Sequence, residues 1–109
     1  MKHKHFYEHL VPHQHIQKEL DILMLKHEEK INLLLLFHAN LHLLILDIVL
    51  DGADTKTKDT ILDHIENDEH DKTWEFLRRI KPDIEMQIKN TIEKHIEHFR
   101  SDIAQVKQT

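Results

Sequence analysis

The sequence predicts an all-α fold: an antiparallel helical bundle of three long helices, or of four if the first breaks near residues 26–30. Three observations carry that expectation. The 109 residues include one Gly and two Pro, so helix breakers are nearly absent. Leu, Ile, Lys, Glu and Asp dominate, and the apolar residues recur every three or four positions. The few breakers that exist fall between periodic segments, at Pro12, at "DGADTKTKD" and at "IKPD".

Taken in order, residues 1–12 form a His-rich N-terminal arm and residues 13–109 a single helical bundle domain. No Gly or Pro occurs from His13 to Asp51, which predicts a first helix near 13–50 with "KHEEK", Lys26 to Lys30, as its weak point. Gly52 suits the position just past a helix end, and Asp54 or Thr55 can cap the next start. A second helix near 55–80 follows. Pro82 fits a first helical turn, with Lys81 as the capping position of a third helix near 82–107.

At 100° per residue the last helix carries one stripe of Ile84, Ile88, Ile92, Ile96, Phe99, Ile103 and Val106, with His95 inside it. The middle helix turns Ile61, Leu62, Ile65, Phe76 and Ile80 inward, interrupted by "ENDEHDKT", whose inward position is Glu69. In the first, Leu34, Leu41, Ile45, Ile48 and Val49 share an arc with His38 and His42 at its edge and Leu35 and Leu46 beyond. That segment is apolar nearly all round.

"LLLLFHANLHLLIL", Leu33 to Leu46, holds two imidazoles four residues apart in the most apolar part of the chain. Buried polar groups cost free energy unless partnered, so His38 and His42 require an account. If short loops join antiparallel helices, His38 comes level with Glu69 and His42 with Ile65, and Glu69 comes level with Lys94, next to His95. Neutral imidazole and carboxylate oxygen suit zinc, iron or manganese. The expectation is therefore a small metal-binding protein with a buried site of His38, His42, Glu69 and His95, serving metal or redox sensing or storage.

Spacing alone is weak support, because 12 His and 20 acidic residues produce such pairs by chance. His5/His9, His9/His13, His15/Glu19 and His98/Asp102 read as solvated helix faces, and the His-rich arm as at most a loose collector of divalent ions. Hemerythrin-like and ferritin-like bundles also gather His and carboxylates from several helices, but the order and spacing here reproduce neither ligand set. No family is identified.

The competing expectation is a metal-free, non-enzymatic regulatory or protein-interaction module. It would be a homodimer through the apolar helix 31–50, with His38 and His42 near the seam making association pH-sensitive. A protein partner would be an alternative cover. Trp74 and Phe76 read as core or interface anchors.

Other classes have less support. A net charge of −5 without a basic stripe disfavours nucleic acid. Residues 31–50 are long enough to span a bilayer, but Asn32, His38, Asn40, His42 and Asp47 stand against a span, and an Asp near a helix centre alone costs about 2.5–3.5 kcal/mol, so a membrane span is disfavoured. There is no Cys and no glycine-rich loop, and Ser101 is the one serine, so no catalytic residue is assigned and the balance leans away from an enzyme. The opening "MKHKHFYEHLVPHQH" lacks the apolar run of a secretory signal, which points to the cytoplasm.

Overall fold

A computed structural model describes residues 5–108, with side chains described through Ile103. The chain is a helical bundle. After a 3-10 turn at Glu8–Leu10 come α1 (His13–Ile22), α2 (His27–Leu50), α3 (Thr55–Glu66), α4 (His70–Ile80) and α5 (Ile84–Gln108).

Two of the expected long helices are each broken once, giving five helices in place of three or four. The first break falls at Leu23–Lys26, where Met24 takes φ +54 and turns the chain out of α1. Helix α2 restarts with the Lys26 backbone N–H donating to Glu29 Oε1 (3.1 Å), and Glu28 and Glu29 place negative charge at its positive end. The second break lies within "ENDEHDKT". Asp68 takes φ +54, and the Glu69 N–H closes back on the His64 carbonyl at 3.0 Å. A segment without apolar residues gives the core little to hold it straight, so local turn chemistry decides there.

The other boundaries follow the expected signals. Gly52 takes φ +74 just past the α2 C-cap, a left-handed conformation that costs glycine little. Asp54 accepts from the Thr57 N–H at 2.8 Å, and that hydrogen bond holds its carboxyl below the usual range. Lys81 ends α4 rather than capping α5, which starts at Ile84 beyond Pro82.

The core centres on α2 packed against α5, with α4 bridging α3 and α5. Phe37, Leu41, Ile45 and Val49 line one side of α2, and Ile84, Ile88, Ile92, Ile96, Phe99 and Ile103 supply the α5 stripe read from the sequence. Val106 lies beyond the described side chains. The two helices run antiparallel: Phe37 meets Phe99 (ring centroids 5.0 Å), while Lys81 Nζ, just before α5, reaches the Ile48 carbonyl at 2.8 Å. In the middle of the chain the buried face is Ile61, Thr73, Trp74 and Leu77, whereas Leu62 and Ile80 are exposed.

The N-terminal segment belongs to the same core. Phe6, Tyr7 and Val11 are buried with the helical residues, and the Trp74 indole N–H donates to the Phe6 carbonyl at 2.8 Å. Residues 1–4 of the predicted 1–12 arm lie outside the described residues.

Candidate functional site

His38 and His42 are both half-buried, and what half-buries them is the arm. The rings of His5 and His42 stack at 4.3 Å, and the Tyr7 hydroxyl lies 3.0 Å from His42 Nδ1. Burial drives the Tyr7 phenol well above its ordinary range, so it stays protonated; a donating hydroxyl then requires neutral His42 with its proton on Nε2. One turn earlier on α2, His38 faces the His13 ring at 5.7 Å, and His13 Nε2 lies 2.8 Å from Glu8 Oε2.

Charge is disfavoured on both α2 imidazoles. Desolvation is the largest cause at each and lowers the pKa. Around His38, His13, His5 and His95 push the same way while Glu8 opposes; around His42, His5 adds to the effect. The resulting latch consists of rings stacked between arm and helix, with Glu8 as its acidic member.

The other two residues of the expected metal set lie elsewhere. Glu69 caps the α3–α4 corner, where Lys72 Nζ (2.9 Å) and His64 Nδ1 (3.1 Å) hold its carboxylate, Lys72 being the larger cause of its lowered pKa. His95 Nε2–H donates to the Phe37 carbonyl at 3.0 Å, and its ring lies 4.7 Å from that of Phe37. The structure thus joins His38 and His42 to the arm, sets His95 beside the same Phe37 that His38 contacts, and keeps Glu69 with other partners. Among the described residues no group of three or more His, Asp or Glu is gathered so that it could hold a metal ion. The inferred depth pairing assumed that α2 lies along the next helix in sequence, whereas its main neighbour is α5.

His5, Tyr7 and His13 are the members that spacing missed. The signal was present in "FYEHLV": four apolar residues in an otherwise polar arm have a reason to bury, and they bring the adjacent histidines with them.

The opposite side of α2 is open. Leu36 and Leu43 are 60% and 65% exposed there, and Leu35 and Leu44, 63% and 42% exposed, lie on its two flanks. Asn32, Ala39, Asn40 and Asp47 complete this face, which carries no formal charge between Lys30 and Asp47. Beside Leu36 and Asn40 a cavity of about 150 Å³ dips toward α5, lined by Phe37, Phe99 and His95. By length and composition α2 could cross a membrane, and only 22% of its most apolar window is buried. His38 and His42 lie more than a quarter turn from Leu36 and Leu43, so the imidazole latch and the centre of the open side occupy different sides of one helix, with Leu35 at the edge between them.

Comparison of the chain with protein-family models, curated proteins and solved structures finds no match.

Proposed function

We propose that this chain is a non-enzymatic interaction module that pairs with a second copy of itself through the outward face of α2. The observation that supports the reading is the exposure of Leu36 and Leu43 along the outward side of α2, with Leu35 and Leu44 exposed on its two flanks and no formal charge between Lys30 and Asp47. From their fractional exposures, the four leucines leave roughly 400 Å² of apolar surface in water, within the range for the largest patch on a monomer.

Water is a poor cover for such a surface, and a second helix face of the same kind is a good one. The histidine latch adds a route for control: it holds the arm, and with it Phe6 and Tyr7, on the far side of the helix that makes the contact. Sedimentation equilibrium from 1 to 300 μM tests the reading. A dimer is expected for the parent and a monomer of unchanged helical circular dichroism for Leu36→Glu/Leu43→Glu. A parent that stays monomeric over that range overturns it.

A further inference from the structure

On the outward side of α2, Leu36 and Leu43 are equidistant from the Ala39–Asn40 midpoint and point the same way, as do Asn32 and Asp47 to within about a sixth of a turn, with Leu35 and Leu44 a quarter turn off on the two flanks. We infer that two copies associate as an antiparallel, two-fold symmetric α2–α2 pair whose axis passes between Ala39 and Asn40. The inference rests on the self-association reading and specifies its register.

An antiparallel pair about that axis sets Leu36 opposite the partner's Leu43 on both sides of the centre, with Leu35 and Leu44 flanking the seam. Ala39 at the axis has the smallest side chain on the face and allows close approach of the helices. The two Asn40 amides come together there, where each can donate to and accept from the other; a buried amide left unpaired would oppose the contact, so this pairing selects the register. Toward either end the Asn32 amide can donate to the carboxylate of the partner's Asp47. In a parallel pair each residue meets itself instead. Asp47 then faces the partner's Asp47, Glu28 and Glu29 face their own copies, and the helix dipoles align rather than cancel.

The same chemistry argues against a lipid surface as the occupant. Three polar residues, Asn32, Asn40 and Asp47, are set into the face, and its flanks balance Glu28, Glu29, Asp51 and Asp54 against Lys26, Lys30, Lys56 and Lys58 in a chain of net charge −5. Such flanks offer an anionic bilayer no excess of positive charge.

The chain has no cysteine, so engineered thiols report on the contact without background. Leu36→Cys and Leu43→Cys variants of the full chain are oxidised separately and after mixing. The antiparallel register predicts that the mixture cross-links at least tenfold faster than Leu36→Cys alone, because residue 36 of one copy lies two turns from residue 36 of the other, beyond the ~7 Å Cα limit of a disulfide. A charge exchange supplies a second readout: Asn32→Asp weakens the dimer several-fold by facing the partner's Asp47, and adding Asp47→Asn restores it. Fast self-cross-linking of Leu36→Cys, or no rescue in the exchange, overturns the register while leaving self-association standing. A monomer in sedimentation overturns both, and a monomer that floats with phosphatidylserine vesicles through this face assigns the surface to lipid instead.

Discussion

Acidification from pH 7.5 to 5 is expected to release the N-terminal arm while the helices stay folded. The groups that face one another across the latch are His5, Tyr7, Glu8 and His13 on the arm side and His38 and His42 on α2, with His95 behind His38. Docking lowers the pKa of His38 and His42 below the ordinary 6.5, so the released state binds more protons in the window below 6.5. Stability therefore rises with pH through that window: docking is fully supported above pH 6.5 and weakens as pH falls toward the lowered values. The scale follows from the ring separation. Two unit charges 4.3 Å apart, the His5–His42 distance, repel by about 1 kcal/mol at the dielectric constant of water and about 4 kcal/mol at an effective constant near 20. Both rings are partly solvated, which favours the lower end, about 1–2 kcal/mol, or a five- to thirtyfold shift toward the open arm. Hydrogen exchange of the Leu10 and Val11 amides, bonded to the Tyr7 and Glu8 carbonyls, reads arm opening directly. Trp74, the one tryptophan, reports it through emission as the Phe6 carbonyl leaves its indole. The reasoning is refuted if arm exchange and Trp74 emission change only together with loss of the far-ultraviolet helix signal. It also fails if His38→Phe/His42→Phe, which keeps ring stacking and removes the charge, shows the same pH response.

Other perturbations have separable outcomes. Tyr7→Phe removes the hydroxyl bonded to His42 and lowers stability by about 1 kcal/mol, measured by urea unfolding. Ile45→Ala, at a fully buried α2 position against α5, costs about 2–5 kcal/mol in the same assay. Leu36→Ala forfeits burial of the 60% of that side chain now in water, about 1 kcal/mol per chain; because a two-fold contact counts it twice, Kd of the dimer rises about thirtyfold by sedimentation. Elemental analysis of protein purified without a metal-affinity column is expected to find well under one equivalent of iron, zinc or manganese. One ion per chain, lost in His38→Ala/Glu69→Ala, would establish the metal centre expected from the sequence.

How far the sequence reaches depends on the range of the interaction that decides each feature. The α5 stripe from Ile84 to Ile103 was legible because burial of one helix face is written locally, every three or four residues. Gly52 and Asp54 were legible for the same reason, since a left-handed turn and a side-chain cap involve near neighbours. The break at Asp68 was only half legible: a run without apolar residues was visible, yet whether it stays helical depends on whether neighbouring helices clamp it.

The candidate site divides in the same way. That His38 and His42 needed partners followed from the sequence alone, because imidazoles among leucines cannot be left unaccounted for. Who those partners are did not follow. The sequential hairpin register favoured Glu69 and His95, whereas Phe6, Tyr7 and Val11 bury beside α2 and carry His5 and His13 to the imidazoles. Composition and periodicity thus determined an all-helical chain, its buried α5 face and a helix apolar nearly all round. Only the tertiary structure decided which side of α2 the arm covers and which side remains open, because that choice is made by contacts between residues tens of positions apart, whose free energies no local pattern records.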